Sequence, residues 1–415
     1  MGCFLAEFLH VITADQFIEL LGRFGRLSPE RVPLDASLGR ILSEDVVACE
    51  DLPEGARSTV DGYAVRAEDT FGASDAIPAF LKVAAAVRMG TLPDFAVLPG
   101  QAAQIPTGGF LPKGTDAVVM VEYTNPAGPQ SIEVTRPVTV RTNVLGKGED
   151  ARSGETLLPA GKKIRPQEIG FLAAMGITDL AVYRRPRIAV ISSGDEVIPI
   201  DQRPHPGQIR DANGHAITAL ARTAGAEPVL FDIVPDNAAM LRDALEKGLK
   251  QADAVAISGG SSVGTRDLMV EVVSSLPDVE ILAHGVAIRP GKPTLLAEQK
   301  GKAIFGLPGH PVSALVVAQA FFEPFLRYLQ GGELGKGPLG HRIQAVLATS
   351  IHSTIGLEEF VRVRLEEKAD GMLAAHPVFG KSGMLSTMVK ANGMILIPMN
   401  VEGFSRGEIV QAVLL

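Results

Sequence analysis

The 415-residue chain has only two cysteines, Cys3 and Cys49. Two thiols cannot build a disulfide framework or a four-ligand zinc site, so a reducing cytoplasm is the expected compartment. Basic clusters are also scarce. None exceeds Tyr183-Arg184-Arg185-Pro186-Arg187, and the formal net charge is −8. A nucleic-acid partner is therefore not expected, although an anion can still bind where one local site is positive. No apolar run approaches the roughly 18–20 residues of a membrane span, and no membrane partner is expected. The start, Met1-Gly2-Cys3-Phe4-Leu5-Ala6, has no basic flank and reads as a poor signal peptide. It also lacks the Ser or Thr at position 6 of a myristoylation signal. Also missing are a Gly-x-Ser-x-Gly elbow, a suitable Cys/His pair, a Walker loop and a dinucleotide fingerprint. These absences favour chemistry by positioning, metal and electrostatics over covalent catalysis.

What is present describes a multidomain globular protein. Hydrophobic residues make up 46% and charged residues 21%, a balance that disordered chains do not have. The length is too great for one core. The 44 glycines and 28 prolines fall in clusters with no triplet period, which implies many tight turns and no fibre.

The organising stretch is Asp253–Ser313. An apolar run, Ala254-Val255-Ala256-Ile257, leads into the small-residue loop Ser258-Gly259-Gly260-Ser261-Ser262-Val263-Gly264. A helical pattern begins near Asp267. Two further turns follow, Arg289-Pro290-Gly291-Lys292-Pro293 and Gly306-Leu307-Pro308-Gly309-His310-Pro311. Strand, small-residue loop and helix together cradle an anion, because loop amides point at the ligand and no Cβ blocks it. Upstream, Ile188-Ala189-Val190-Ile191 runs straight into Ser192-Ser193-Gly194-Asp195-Glu196 in the same way. Strand–helix alternation over 186–330 predicts a mostly parallel sheet covered on both faces, with its ligand at the strand C-termini.

Around this α/β domain the pattern predicts a mixed, discontinuous domain (11–50 with 141–185), a small β domain (51–140) and a C-terminal β-barrel domain (338–415). In the β domain, Asp61-Gly62 reads as a tight turn opening a strand. In the last domain, Asn392-Gly393 and Glu402-Gly403 read as hairpin turns.

Four carboxylates fall near predicted strand ends: Asp195, Glu196, Asp211 and Asp267. Such a set beside a phosphate cradle suits Mg²⁺, a hard cation that takes oxygen ligands. Asp211 and Asp267 also fit helix caps, and Asp61 fits a turn carboxylate. Arg289 and Lys292 on a proline-stiffened turn suit oxyanion binding. His310 fits either a ligand or base, or a hydrogen-bonded structural group.

Eight ordered segments carry a family resemblance. They are Ser58–Val65, Pro106–Gly108, Asp116–Val119, Gly148–Asp150, Ser193–Glu196, Ser258–Gly264, Pro290–Pro293 and Gly306–Ala314. Over about residues 11–413 the chain resembles the molybdopterin molybdenumtransferase family, bacterial and archaeal relatives of the C-terminal part of gephyrin. The resemblance implies an elongated four-domain homodimer whose third domain binds molybdopterin. It implies Mg²⁺-dependent metal insertion, in which adenylylated molybdopterin and molybdate give molybdenum cofactor and AMP. The implied site lies between the third domain of one subunit and the second domain of the other. Carried over by residue, Asp61, Thr107, Asp150, Glu196, Asp211 and Asp267 take catalytic positions, and Glu196, Asp211 and Asp267 the metal. Ser193, Gly194, Ser258, Gly259, Gly260, Ser262, Gly264, Arg289, Lys292, Pro308, Pro311, Ser382 and Ser386 take the ligand-binding rim. A molybdopterin adenylyltransferase and downstream molybdoenzymes are the implied protein partners.

The chain departs from the family pattern at four places. Leu145 and Gly285 stand where a basic residue is common, Arg289 where Lys is common, and His310 where Asn is usual. These departures leave tungstate open as an alternative to molybdate. The rival readings are a non-catalytic molybdopterin-binding scaffold and a different enzyme of this fold, a nucleotide pyrophosphatase or an adenylyltransferase.

Overall fold

The run Ile188-Ala189-Val190-Ile191 has no polar face because both of its faces are covered. In the computed structural model, which describes residues 11–259, 263–335, 342–369 and 371–415 and omits the side chains of 263–267, it forms the strand Arg187–Ser193. Ile188 and Val190 enter one core with Ile217, Phe305 and Val316, while Ala189 and Ile191 enter a second with Leu241, Leu245 and Val273. This is the period-two alternation of a strand, with apolar residues at both phases.

The chain divides into two compact units. One holds the N-terminal stretch through Arg31, Gly39–Ser43 and Ala181–Leu415; the other holds Val32–Leu38 and Glu44–Leu180. In the larger unit a six-stranded sheet runs in the order 227–230, 187–193, 254–259, 302–307, 295–299, 279–284. The first four strands are parallel, and the last two pairings are antiparallel. The two central strands end at Ser193 and Gly259, which are register partners, so the loops that follow leave the sheet side by side.

The helix after the second of these loops spans Val263–Ser274. It starts four residues before the position read from the sequence, so Asp267 lies one turn inside it and is not its cap. Pro311–Val317, a π-helical stretch Ala318–Phe322 and Glu323–Leu329 form one continuous helix. Pro324 has no N–H for the Ala320 carbonyl, and the helix widens over the preceding turn. At 19 residues it is long and apolar enough to cross a membrane, contrary to the sequence expectation. Its Phe321, Phe322, Phe325 and Leu326 are fully buried among core residues that include Phe17 and Phe305.

The C-terminal strands 358–367, 373–377, 342–347, 409–414 and 393–397 close on themselves as a barrel. Ile288–Arg289 adds to its edge, parallel to Glu358–Glu367. Neither Gly393 nor Gly403 is a hairpin tip. A Cβ on Gly403 would lie 1.9 Å from the Ile351 carbonyl oxygen, and one on Gly393 would lie 2.7 Å from Leu365. These glycines permit close strand approach.

The smaller unit holds a six-stranded sheet in the order 117–120, 62–65, 101–105, 79–86, 131–134, 124–126. Its helix Pro166–Ala174 is entered through Arg165, whose amide donates to Glu168 Oε2 at 3.0 Å and whose guanidinium donates to Glu168 Oε1 at 2.6 Å. Glu168 is 6% exposed. The Arg165 guanidinium lowers its pKa from the ordinary 4.5 to about 2. A depressed carboxylate stabilises the fold fully above its unfolded pKa, and that stabilisation is lost as pH falls through the folded value. Glu168→Gln is therefore expected to lower the urea midpoint at neutral pH. The deficit should shrink between pH 4.5 and 2; a deficit that stays constant across that window would refute the assignment.

Candidate functional site

In the smaller unit Asp61 and Thr107 form a pair. Thr107 donates to Asp61 Oδ1 twice, through its amide at 2.7 Å and its hydroxyl at 2.9 Å. The amide first, then the hydroxyl, hold the Asp61 carboxyl below the usual aspartate range. The turn that presents Thr107 closes through Gly108, at φ +82°, whose amide donates to the Ser58 carbonyl at 2.8 Å. Gly62 does not turn the chain. It lies in the strand Gly62–Val65 between Ile105 and Met120, where the strands leave no room for a Cβ. Asp150 is exposed on the turn after Gly148, and its amide donates to the Leu52 carbonyl at 3.0 Å.

In the larger unit the sheet ends open into three cavities that share His310. The first, about 390 Å³, is lined by Ser193, Glu196, Asp211, Ser258, Gly259 and Pro311, among others. The second, about 140 Å³, lies among Gly259, His284, Pro293, Pro308 and His310. The third, about 1070 Å³, runs between the Arg289–Pro293 turn and the barrel, past Arg362, Lys381 and Ser382. The three loops singled out in the sequence therefore meet at one crevice. One end carries the carboxylates Glu196 and Asp211 with Arg210, and the other carries Arg289, Lys292, Arg362 and Lys381 with Glu359.

Local chemistry explains the shape. Gly194, at φ +151°, leaves room for Glu196, whose Oε2 would lie 2.8 Å from any Cβ there. Gly291, at φ +113°, packs against Val317, where a Cβ would meet Cγ2 at 2.4 Å. Asp211 is 5% exposed and caps the helix Ala212–Thr223, accepting from the Gly214 amide at 2.8 Å. It therefore caps that helix and also lines the cavity. Arg289 Nε stands 3.8 Å from Glu359.

Three residues passed over in the sequence reading, Asn213, Asp236 and Arg362, belong here, together with Ser192 of the first loop. Asn213 Nδ2 donates to Ser258 Oγ at 2.7 Å and to the Gly309 carbonyl at 2.8 Å, tying two loops together. Ser192 is 2% exposed, and its hydroxyl has no partner among the described residues although the residue lines the first cavity. Asp236 accepts from the Ser193 hydroxyl at 3.2 Å; burial first, then the charges of Asp195 and Glu196, push its pKa up. Arg362 is 8% exposed; among the described residues its Nε has no partner and its NH2 has one, the Gly380 carbonyl at 3.2 Å. Only the Asp-x-Asn spacing before a helical run could have drawn attention to Asn213.

Some expected residues are not assembled. Ser386 begins the short helix Ser386–Lys390 and is exposed. Gly260 and Ser262 lie outside the described residues, as do the side chains of the segment that holds Gly264 and Asp267. Among the described residues no three His, Cys, Asp or Glu side chains cluster closely enough to hold a metal. Of the expected metal set, Glu196 and Asp211 share a cavity.

These features define a class: a multidomain protein built on an α/β domain with a polar crevice at its strand ends, flanked by N- and C-terminal domains. Comparison with known families makes the class specific. Residues 9–176 match the MoeA N-terminal region (domain I and II), residues 189–328 a probable molybdopterin binding domain, and residues 344–415 the MoeA C-terminal region (domain IV). A molybdopterin molybdenumtransferase from Nostoc sp. is 36% identical over 91% of this chain and 87% of its own. One from Staphylococcus epidermidis is 33% identical over 92% and 90%. The crystal structure of the molybdopterin biosynthesis MoeA protein from Pyrococcus horikoshii superposes with a TM-score of 0.84 at 31% identity, covering 98% of this chain and 100% of that one. The chain belongs to the molybdopterin molybdenumtransferase family, a family of transferases.

Proposed function

We propose that this protein inserts molybdate into adenylylated molybdopterin, forming molybdenum cofactor and releasing AMP. The observation that carries the reading is the crevice itself, acidic at Glu196 and Asp211 and basic at Arg289, Lys292 and Arg362, with His310 lining each of its cavities. Relatives named for this transfer support it.

Glu196 and Asp211 fit Mg²⁺, which takes one or two carboxylates plus substrate phosphate oxygens and so needs no three-residue cage. When bound there, the ion would neutralise charge on the phosphoanhydride. The Ser193–Glu196 and Ser258–Gly259 loops hold the phosphate and dithiolene end of the ligand. Asn213 keeps the second of these loops beside Gly309. At the basic end, Arg289, Lys292 and Arg362 bind the metal oxyanion. Two metal–sulfur bonds form as the two dithiolene thiols give up their protons, and one oxo group leaves with those protons as water. Hydrolysis of the phosphoanhydride releases AMP and leaves the terminal phosphate on the pterin. The Asp61–Thr107 pair completes the site from the second domain of the partner subunit in a homodimer, where the ionised Asp61 positions water or a cation.

The test is incubation with adenylylated molybdopterin, Mg²⁺ and either molybdate or tungstate, reading AMP and incorporated metal separately. AMP release coupled to molybdenum incorporation is expected. AMP without incorporated metal would mean a pyrophosphatase, binding alone a scaffold, and incorporation only with tungstate a different metal specificity.

A further inference from the structure

We infer that Arg57 is an oxyanion-binding residue of the smaller unit, poised beside the Asp61–Thr107 pair to take a tetrahedral anionic group of the substrate. This rests on the function proposed above.

Arg57 opens the two-residue strand Arg57–Ser58, which is flanked on both edges. On one edge Leu145 lies opposite Arg57, and Val144 opposite Ser58. On the other edge Arg57 bridges to Phe110, and the Ser58 amide donates to the Gly109 carbonyl at 2.9 Å. The strand is therefore stitched to the loop that carries Thr107. That loop anchors Asp61 through Thr107, and its next residue, Gly108, offers its carbonyl to Arg57 NH1 at 3.5 Å.

The guanidinium is aligned but under-used. Its Cζ lies 4.1 Å from the centre of the Phe110 ring, a stack that fixes the plane of the fork. Among the described residues it forms no ion pair with a carboxylate, and its Nε is shielded from solvent without an acceptor. The long contact to Gly108 is its one hydrogen bond to a described residue. Across the strand Leu145 brings only an apolar side chain, so Arg57 is the cation of this register pair. A planar donor fork with its orientation set and its terminal N–H groups, beyond the long contact to Gly108, without an acceptor among the described residues matches phosphate or a metal oxyanion, which accept through several oxygens at once.

A packing role over Phe110 is separable from this one. Arg57→Met keeps an unbranched stem on the ring and removes the charge, whereas Arg57→Lys keeps the charge and loses the fork. Full-length protein is assayed for thermal midpoint, for calorimetric affinity for inorganic pyrophosphate and for molybdate, and for the KM of AMP release. We expect Arg57→Met to leave the midpoint within about two degrees and to weaken anion binding roughly 10- to 100-fold, with Arg57→Lys in between. A loss confined to pyrophosphate and KM assigns the group to phosphate; a loss confined to molybdate assigns it to the metal oxyanion. If wild type does not turn over, the proposed function fails and the calorimetric arms still decide Arg57. Affinities for both anions and a KM unchanged from wild type, or a lowered midpoint with unchanged affinities, would overturn the inference.

Discussion

Gly62→Ala is expected to unfold the smaller unit's sheet or to leave it barely stable. A Cβ at this position would lie 1.9 Å from the Val119 carbonyl oxygen, 2.9 Å from the Val119 carbonyl carbon and 3.1 Å from Met120 Cα. All three are backbone atoms, so no rotamer change relieves the clash. Gly62 pairs with Ile105 on one side and Met120 on the other, and the strand cannot retreat from one neighbour without pressing on the other. The cost is about 3 kcal/mol or more, a large share of the roughly 5–15 kcal/mol that holds a domain together. Asp61 immediately precedes Gly62 and its carbonyl accepts from the Val121 amide at 3.0 Å, so the site residue shifts with the strand. Gly154 is the control. It has φ +83° and nothing within 4 Å of an added Cβ, so Gly154→Ala meets only the left-handed penalty of about 1–2 kcal/mol. Urea unfolding of both variants beside wild type decides the matter. A Gly62→Ala midpoint equal to that of Gly154→Ala would show that the strands can part at little cost.

That glycine marks the boundary of what the sequence makes legible. Local patterns are legible: apolar runs with no polar phase, small-residue loops directly after them, and the Pro-Gly-Lys-Pro turn. These place Ser193, Glu196 and Ser258 at the sheet ends and Lys292 on a stiff turn, and the structure brings their loops to one crevice. What is not legible is which distant backbone lies alongside. Asp61-Gly62 carries a turn signature because a glycine that admits a neighbouring strand looks the same as one that reverses the chain. Gly393 and Gly403 mislead in the same way. The pairing of Arg57 with Leu145 is invisible for the same reason, although Leu145 already stands out as a departure from the family pattern. Arg362 is missed on different grounds. In Phe360-Val361-Arg362-Val363-Arg364 it alternates just as Arg364 does, and alternation assigns both to an exposed face. Arg364 is exposed, but the chain returning through Val378 and Gly380 covers Arg362, accepting from its guanidinium and donating to its carbonyl.

The burial of Arg362 leads to a second large effect, with opposite signs for stability and activity. Burial holds its guanidinium below the usual arginine range, against a smaller opposing pull from Glu359. A shielded charge whose Nε has no partner among the described residues, and whose guanidinium has a single 3.2 Å contact among them, is poorly compensated. Replacing it with an unbranched apolar chain of similar reach removes that burden. Arg362→Met should therefore unfold at the same denaturant concentration as wild type or a higher one. The same residue lines the basic end of the crevice with Arg289 and Lys292. A donor aimed at developing charge in a water-poor site typically contributes about 10²–10³ in rate, so molybdate-dependent AMP release should fall by about that factor. Arg362→Lys separates charge from geometry, since a lysine point charge cannot reproduce the planar fork, and it should recover only part of the loss. A structural arginine predicts the reverse for Arg362→Met, a lowered unfolding midpoint with turnover per folded molecule intact. That outcome, measured by urea titration and initial rates on one preparation, would remove Arg362 from the oxyanion site and leave the basic end to Arg289 and Lys292.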